Sequence, residues 1–340
     1  MNFFLGRLRQ RAQALGMSAA LTVAALSASS VALASNTIDQ TFIDEVSASY
    51  NLDPSWVADQ VKSASFKQDI IERITTPWEA KPWYQYQTIF LKPERVEQAV
   101  EFWQSHQQTL ARAEQTYGVP AQLIVAIIGV ETYFGRFKGD KGVLDSLYTL
   151  GFHYPKRAKF FRSELGHFLA LSHEQGWDPA SINGSYAGAM GFPQFISSSY
   201  RAYAVDFNDD GQRDLLDSPQ DAIGSVANYF AKHGWTPGTC MVEQVTLTPA
   251  AESLVQTNTK IKHAWADARK AGIKTSQQLA DDDKIMLFPL AESEQLTHHY
   301  LGCNNFYVIT RYNHSRLYAM AVYRLSQQIE AAWQAKQTAS

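Results

Sequence analysis

The chain has 340 residues, 45% of them hydrophobic and 19% charged, which predicts a globular protein with a large core and, by length, about two domains. Its net charge of −3 gives no support for nucleic acid as a partner. Aromatic residues are plentiful, with 8 Trp, 16 Tyr and 18 Phe, and the rings of Tyr and Trp form flat, amphipathic walls on which sugar rings stack.

The first 34 residues have the pattern of a cleaved secretory signal. Arg7, Arg9 and Arg11 form a basic leader, residues 17–33 are apolar and small, and Ala32-Leu33-Ala34 supplies a small-x-small cleavage site. An uncleaved anchor is the alternative, but the stretch is short and rich in Ala and Ser, which favours cleavage. No Cys follows the apolar run, so it offers no site for lipid attachment. We therefore expect a soluble, exported, periplasmic protein.

Helices are predicted in the N-terminal part of the chain, where Gly is scarce and apolar residues recur at helical spacing. They cover Asp39 to Tyr50, Pro54 to Ala64 and Pro93 to Tyr117. Residues 75–88 interrupt them with two prolines and four aromatic side chains, which predicts an ordered surface loop and no helix. The sequence of residues 116–235 predicts short helices separated by Gly-rich turns.

Strands are predicted after Trp235, and the fold class is therefore mainly α with a small β element (α+β). Strands are predicted over Val242 to Leu247, Ile285 to Leu290 and Phe306 to Thr310. Helices are predicted over Ile261 to Ala271 and Leu317 to Ala332. Cys240 and Cys303 both lie in the part predicted to be exported, where a disulfide is permitted. Their spacing does not fix a pairing, so two free thiols remain the alternative.

A single carboxylate, Glu131, closes the apolar run that begins at Leu123. Pro120 suits the first position of a helix there, and Gly135 suits its end. The apolar residues three, four and seven positions before Glu131 share its face of that helix. The carboxyl group is therefore expected at the edge of the core, half desolvated, which suits a general acid that works near neutral pH. The alternative is a structural ion pair with a cation such as Arg136.

The segment from Asp206 to Asp217 matches the start of an EF-hand calcium loop, with oxygen-bearing side chains at positions 1, 3 and 5 and a Gly at position 6. The expected ligands are the side chains of Asp206, Asn208 and Asp210 and the backbone carbonyl of Gln212. Position 12 is Asp217 instead of the usual Glu, so the closing carboxylate is either this residue or Asp221. The ion would be structural, and a polar turn without metal is the alternative.

Two further segments have the composition of a ligand-binding surface. Residues 185–195 are dense in small residues and Gly, which let the backbone approach a ligand, and Ser185 and Gln194 would offer hydrogen bonds there. A tight turn between helices is the alternative. Residues 310–315 join a predicted strand to the last helix, where a helix cap at Asn313 or Ser315 is the alternative.

Motifs of several other enzyme classes are absent from the sequence: it contains no Gly-x-Ser-x-Gly elbow, phosphate loop or His-Glu-x-x-His. Sugar hydrolysis normally uses two carboxylates, whereas Glu131 has no evident partner. Asp140 and Asp145 are near in sequence but lie beyond the predicted helix end. An enzyme with one carboxylate must find its nucleophile elsewhere, for instance in the substrate.

Four ordered motifs together resemble the lytic murein transglycosylase B family, and the resemblance covers residues 40–333. The motifs are residues 127–132, residues 185–194, the calcium loop with residues 221–230, and residues 311–315. The resemblance implies a lysozyme-like core with an EF-hand-like site, an elongated helical domain and a small β domain. The implied segments are a signal peptide over 1–34, the helical domain over 35–115, the core over 116–235, the β domain over 236–312, and a C-terminal helix over 313–340.

The chain departs from the family pattern at the calcium loop and near its N-terminus. Asn208 at position 3 is still an oxygen ligand, and one extra residue precedes Asp221, which leaves the last ligand open. The chain lacks the lipid-attachment Cys of membrane-bound members and so looks like a soluble member.

The activity implied by the resemblance is cleavage of the β-1,4 bond between N-acetylmuramic acid and N-acetylglucosamine without water. Glu131 matches the sole catalytic residue, which first protonates the leaving oxygen and then deprotonates the muramyl C6 hydroxyl to give a 1,6-anhydro ring. The residues that match substrate-binding groups are Tyr86, Ser185, Gln194, Tyr229, Tyr312, Asn313 and Arg157. Arg157 belongs to a basic spot for peptide-stem carboxylates, with a solvated charge pair as the alternative.

The resemblance also implies peptidoglycan glycan strands as the substrate, cell-wall synthesis or remodelling proteins as partners, and a monomer. It implies a structural Ca²⁺ ion and no organic cofactor. The alternatives are a hydrolytic muramidase on the same scaffold, which needs a second carboxylate, and a non-catalytic peptidoglycan-binding protein.

Overall fold

The computed structural model describes residues 40–76 and 81–339. The chain divides into two compact units, residues 1–63 and residues 64–340. The predicted signal peptide lies outside the described residues, as do residues 77–80 of the predicted loop. No helix in the described part of the chain is long and apolar enough to cross a membrane.

The first unit contributes two described helices, α1 (40–50) and α2 (Pro54–Ser63). The carboxylate of Asp53 starts α2, because it accepts hydrogen bonds from the backbone N–H groups of Ser55 at 2.7 Å and Trp56 at 3.1 Å. Both helices agree with the helical periodicity of the sequence.

The second unit is mainly helical, which confirms the predicted fold class. Its helices are α3 (Gln68–Thr75), α4 (Trp83–Phe90), α5 (Pro93–Ser105), α6 (Gln107–Tyr117), α7 (Ala121–Thr132), α8 (Val143–His153), α9 (Ala158–Gln175), α10 (Ser197–Tyr203), α11 (Pro219–Lys232), α12 (Trp265–Lys270), α13 (Asn304–Tyr312) and α14 (Arg316–Ala339). Short 3₁₀ helices occupy Pro155–Arg157, Pro179–Ser181 and Pro249–Leu254.

Two antiparallel sheets accompany these helices. The strands are β1 (Lys141–Gly142), β2 (Asn183–Gly184), β3 (Val242–Val245), β4 (His263–Ala264), β5 (Lys284–Ala291) and β6 (Thr297–Gly302). The first two strands pair with each other, and the other four form one sheet in the order β3-β6-β5-β4. In its central pair Phe288 lies opposite Tyr300, and their stacked rings are 5.8 Å apart.

Three local predictions are wrong. The segment 75–88 contains the start of a helix, because α4 begins at Trp83 with Pro82 at its N-cap, where a proline breaks no helical hydrogen bond. Residues 306–310, predicted as a strand, lie inside α13, since a short apolar run does not distinguish helix from strand. The predicted helix over 261–271 is reduced to α12, and β4 takes the residues just before it.

A large apolar core surrounds α7 and draws on several other elements. It takes buried residues from α4, α5, α6, α11, α13, α14 and the central strands of the sheet. A smaller core under the sheet contains Cys240 and Cys303, which form a disulfide with a 2.07 Å Sγ–Sγ bond. The domain boundaries expected at 115, 235 and 312 stay predictions, and the main core takes residues from both sides of each.

Candidate active site

Glu131 lies at the end of α7, one residue before its last. Nearly every residue of this helix from Ala121 to Gly129 is buried, so the helix lies within the core and not along a surface. Glu131 itself is half-buried. Burial raises the pKa of Glu131 from 4.5 to about 7, since desolvation penalises the ionised form, and a hydrogen bond from Tyr318 opposes part of that rise.

The turn that follows Glu131 is fixed by unusual backbone geometry. Tyr133, Phe134 and Gly135 all have left-handed φ values, 54°, 61° and 87°. A Cβ on Gly135 would lie 2.1 Å from the Phe192 ring, so only Gly fits there. The hydroxyl of Thr132 donates to the Phe192 carbonyl at 2.9 Å and accepts from the Gly135 N–H at 3.0 Å. The helix end is therefore tied to the 185–195 segment, which holds the carboxyl group in place.

Tyr318 is the hydrogen-bond partner of Glu131, and no motif in the sequence indicates this contact. Its hydroxyl donates to Oε1 of Glu131 across 187 residues of sequence. It lies in the buried part of α14 and shares its helix face with the buried residues Ala321, Val322 and Leu325. A phenol on an otherwise apolar helix face is the signal that could have identified it, because a buried hydroxyl needs a partner.

Glu131 has no cationic or acidic neighbour that changes its ionisation among the described residues. No ion pair joins it to Arg136 or to another described cation, so the structural ion-pair alternative is wrong. Desolvation and Tyr318 are the causes of its pKa shift, and no described carboxylate contributes. Asp145 accepts from the Ser65 N–H at 2.7 Å and pairs with Lys67 at 3.2 Å, while Asp140 is exposed.

Three further tyrosines form a connected group with Tyr318. The Tyr312 hydroxyl donates to the Pro193 carbonyl at 2.6 Å, and its ring lies 6.4 Å from that of Tyr318 in a stacked arrangement. Burial and the charge of Glu131 raise the pKa of Tyr312 well above its usual value. Tyr229 packs edge-on against Tyr312 at 4.9 Å. Tyr86 is buried and perturbs Tyr318 electrostatically, so it is a neighbour of that phenol.

The polar residues predicted in the 185–195 segment are held by their own loop. The Ser185 hydroxyl accepts from the N–H groups of Ala187 at 3.3 Å and Ala189 at 3.0 Å, which leaves its proton free to be donated. The Gln194 amide nitrogen donates to the carbonyls of Lys138 and Gly191, each at 3.0 Å. These bonds fix the direction in which each side chain presents its remaining polar atom.

Asn313 and Arg157 lie at the edge of the group of predicted site residues. Asn313 follows α13 directly and is half-buried, and its carbonyl accepts from the Ser315 N–H at 2.7 Å. Arg157 is exposed and lies over the ring of Phe160 at 4.0 Å. Its charge also lowers the pKa of His314, so Arg157 lies on the same side as the 311–315 segment.

The calcium loop forms a tight turn stabilised by its own acidic side chains. Asp206 accepts from the N–H groups of Asp210 at 3.2 Å and Gly211 at 2.8 Å. Asn208 accepts from the Asp210 N–H at 3.1 Å, and Asp210 accepts from the Gln212 N–H at 2.8 Å. In the part of the chain that the structure describes, no three His, Cys, Asp or Glu side chains converge closely enough to hold a metal ion.

The two candidates for the closing carboxylate differ sharply in environment. Asp221 is fully buried, accepts from the N–H groups of Phe207 at 2.7 Å and Asp214 at 2.8 Å, and feels the charges of Asp206 and Asp210. Asp217 is 82% exposed and pairs with Lys138 at 3.0 Å. The oxygen donors of Asp206, Asp210 and Asp221 are of the chemical type that calcium prefers, whereas Asp217 points toward Lys138.

The fold and this site define an enzyme of the lytic transglycosylase class. Residues 34–327 match the family model described as the transglycosylase SLT domain, so the chain belongs to that family. Over 251 residues it is 44% identical to membrane-bound lytic murein transglycosylase B of Escherichia coli (strain K12), covering 74% of this chain and 68% of that protein.

Solved structures agree with this membership. A catenated lytic transglycosylase, SltB1 of Pseudomonas aeruginosa, is 45% identical with a TM-score of 0.82, over 86% of this chain and 97% of that chain. Escherichia coli Slt35 in complex with calcium is 39% identical with a TM-score of 0.78, over 87% and 93%. Pseudomonas aeruginosa SltB3 in complex with NAG-NAM-pentapeptide is 27% identical with a TM-score of 0.73, over 87% and 79%.

Proposed function

We propose that this transglycosylase cleaves the β-1,4 bond between N-acetylmuramic acid and N-acetylglucosamine in peptidoglycan, with Glu131 as its sole acid and base. The observation that carries the proposal is the environment of Glu131: a desolvated carboxyl group with a pKa of about 7 and no described carboxylate beside it. A group with that pKa is half protonated at pH 7, so it can both give and take a proton there.

The proposed reaction uses the carboxyl group of Glu131 twice, first as an acid and then as a base. Glu131 gives its proton to the glycosidic oxygen, and the bond from that oxygen to the muramyl C1 breaks. The N-acetyl carbonyl of the same sugar takes the place of the second carboxylate and stabilises the positive charge at C1. Glu131, now ionised, removes the proton from the C6 hydroxyl, and the bond from O6 to C1 forms. No water enters, and Glu131 ends the cycle protonated.

The predicted binding residues have matching roles in this proposal. The rings of Tyr229 and Tyr312, which pack on each other near the carboxyl group, would form the wall of the substrate-binding cleft, where they exclude water and contact sugar faces. The free proton of Ser185 and the side chain of Asn313 orient N-acetyl or glycan atoms. Gln194 and Tyr86 complete the surface near Glu131, and Arg157 meets peptide carboxylates.

Replacement of Tyr318 by Phe tests how the pKa of Glu131 is set. The phenol donates to the ionised carboxylate and lowers its pKa, so its loss raises the pKa of Glu131 above 7. In kcat/KM against pH, the limb that falls as Glu131 ionises should move upward by about one pH unit, the size of one charge-assisted hydrogen bond. Tyr300→Phe removes a phenol that donates to Glu292 at 2.7 Å and should leave the profile unchanged. An unshifted Tyr318→Phe profile would contradict this role.

A structural calcium ion is proposed for the 206–221 loop. The ligands are expected to be Asp206, Asn208, Asp210, the Gln212 carbonyl and Asp221. These hard oxygen donors and the uncompensated negative charge around Asp221 support the assignment, as does the calcium complex of the related Slt35. The ion would hold the loop that precedes α11, at a distance from the chemistry.

A periplasmic location after cleavage of the signal peptide follows from the sequence of residues 1–34, and a monomer that binds glycan strands remains our expectation. No organic cofactor enters the proposed reaction, since its only proton carrier is Glu131. Cell-wall synthesis or remodelling proteins are the proposed macromolecular partners.

Product masses test the proposed reaction directly. Sacculi digested by the protein should release muropeptides that are lighter by one water than the products of a hydrolytic muramidase, since ring closure replaces hydrolysis. Products with a free reducing end would favour the muramidase alternative. Binding of sacculi with no released muropeptide would favour a non-catalytic binding protein.

A further inference from the structure

Arg95 of α5 is a buried cation without a counterion among the described residues, and the proposed reaction does not use it. Its side chain is 9% exposed, and its Nε and Nη1 atoms have no hydrogen-bond partner in the described part of the chain. No described carboxylate lies within 4.0 Å of its nitrogens. Burial of an unpaired charge lowers stability, and an apolar side chain of similar size avoids that cost. A residue that lowers stability in this way is a candidate for a role in function.

Two aromatic rings enclose the guanidinium of Arg95. Its central carbon lies 4.7 Å from the centre of the Tyr133 ring and 5.3 Å from the centre of the Phe90 ring. A guanidinium is planar and weakly hydrated, so it stacks on aromatic faces and is attracted by their electrons. Burial lowers the pKa of Arg95, and its interaction with Tyr133 opposes that shift. The two rings therefore take the place of a counterion, and Arg95 in turn holds them.

Tyr133 is held in a backbone conformation that a Tyr rarely adopts. It is the C-cap of α7, with φ 54° and ψ 50°, and its N–H donates to the Gly129 carbonyl at 3.2 Å. Gly is the usual residue at such a helix end, because a side chain is strained in the left-handed region. Strain of this kind persists only where the surrounding structure enforces it. Arg95 holds the Tyr133 side chain, and Glu131 lies two residues earlier on the same helix end.

Phe90 connects Arg95 to the other group that fixes Glu131, its hydrogen-bond donor. The Phe90 ring packs on the Tyr86 ring at 5.2 Å. Tyr86 lies close enough to Tyr318 to influence its ionisation, and the Tyr318 hydroxyl donates to Glu131. Arg95 therefore contacts both the turn that ends α7 and the aromatic rings that lead to the hydrogen-bond donor.

We propose that Arg95 is a positioning residue for the reaction: through Tyr133 and Phe90 it holds the carboxyl group of Glu131 in the orientation that proton transfer requires. This role rests on the proposed function, because it concerns the same proton transfers. Acid–base catalysis depends on the placement of the proton donor, and a displacement of about 1 Å can lower the rate about 100-fold. The charge of Arg95 is not among the causes of the pKa shift of Glu131, so Arg95 acts on the position of the carboxyl group.

Replacement of Arg95 by Met tests this role, because Met has a similar length and no charge. The kcat for anhydro-product release should fall about 10- to 100-fold, while KM stays nearly unchanged. The midpoint of urea denaturation should stay the same or rise, because the unpaired buried charge is gone. A purely structural residue would lower the midpoint and kcat together. Arg162→Met is the control: it removes a cation that lies 5.8 Å over the Phe152 ring, and it should leave kcat unchanged.

The pKa of Glu131 gives a readout that needs no substrate. The described titratable groups that face this carboxyl group are the phenols of Tyr318 and Tyr312, and Arg95→Met keeps both. A carboxyl group that is held less firmly against the core gains water, so its pKa should fall from about 7 by about one unit. The measurement is an NMR titration of ¹³C-labelled glutamate carboxyl groups, with the signal assigned from Glu131→Gln. Arg95→Lys keeps the charge without the planar group and should lie between the wild type and Arg95→Met in kcat and in this pKa.

A double variant tests whether Arg95 acts through Tyr133. Tyr133→Leu removes the ring under the guanidinium, so Arg95→Met/Tyr133→Leu should lose less kcat than the product of the two single losses. Losses that multiply in full would overturn the inference, as would an unchanged kcat in Arg95→Met. A lower kcat with an equal loss of stability and an unchanged Glu131 pKa would also overturn it. If the wild type releases no anhydro product but the Glu131 pKa falls in Arg95→Met, the positioning role stands and the proposed reaction is rejected.

Discussion

Replacement of Glu131 by Gln should lower the rate of anhydro-muropeptide release by about 10³-fold or more, the upper range for general acid–base catalysis by one residue. The amide has the size of the carboxyl group and can still accept from Tyr318, so the site keeps its shape. It cannot give a proton to the glycosidic oxygen or take one from the C6 hydroxyl. Both halves of the reaction therefore lose their catalyst with a single change. The measurement is the mass-resolved yield of anhydro products from sacculi.

The same variant has a predictable stability signature that separates lost catalysis from lost folding. The folded-state pKa of Glu131, about 7, lies above its ordinary value of 4.5, so the folded chain binds more protons than the unfolded chain between those pH values. Glu131 therefore costs the wild type stability as pH rises from 4.5 through 7. Glu131→Gln should be as stable as the wild type near pH 4 and more stable by about 1–3 kcal/mol at pH 8. An inactive variant that is less stable at pH 8 would contradict the assigned environment.

The location of Glu131 could be predicted because the residues that determine it are its neighbours in the sequence. An apolar run between a Pro and a Gly specifies a buried helix, and the position at the end of its apolar face specifies a half-buried carboxyl group. The apolar periodicity of α5, α6 and α14 predicts these helices correctly for the same reason. In these segments the local pattern and the tertiary environment agree.

Tyr318 could not be assigned because its partner is distant in the sequence. Its neighbours in α14 look like core, and only the approach of α14 to the end of α7 gives its hydroxyl a function. The sequence of α13 predicts a strand, which is wrong, because Phe306, Val308 and Ile309 favour both structures when the run is short. The packing of this segment in the main core favours the helix over the strand, and that packing involves elements far away in the chain.

The sequence does not decide the closing residue of the calcium loop, for a related reason. Spacing places Asp217 at position 12, and only the path of the loop turns that side chain toward Lys138 and brings Asp221 under the turn. Backbone conformation thus gives different environments to two residues that the sequence presents as equivalent, and this difference is the basis on which we propose Asp221 as the ligand.

Asp221→Asn should lower the free energy of unfolding by about 2 kcal/mol in EDTA, measured by urea denaturation, because the lost hydrogen bond outweighs the relief of the burial and of the repulsion from Asp206 and Asp210 that raise the pKa of Asp221. Its two carboxylate oxygens accept from the N–H groups of Phe207 and Asp214 in a fully buried site, and an amide would turn an N–H₂ donor toward one of them. That exchange removes a charge-assisted hydrogen bond and leaves a buried donor unpaired. Asp217→Asn is the matched control, because this side chain is 82% exposed and its pair with Lys138 is worth under about 1 kcal/mol.

The stability gained on calcium binding provides a second test that distinguishes Asp221 from Asp217. At 100 times its dissociation constant, calcium should stabilise the wild type by about 2.7 kcal/mol, and EDTA should remove that gain. Asp217→Asn should keep the gain and Asp221→Asn should lose most of it, since the oxygens that hold the loop also carry lone pairs for the ion. Loss of the gain in Asp217→Asn alone would make Asp217 the closing ligand. A wild type that calcium does not stabilise at all would mean that the 206–221 turn is held by its own hydrogen bonds.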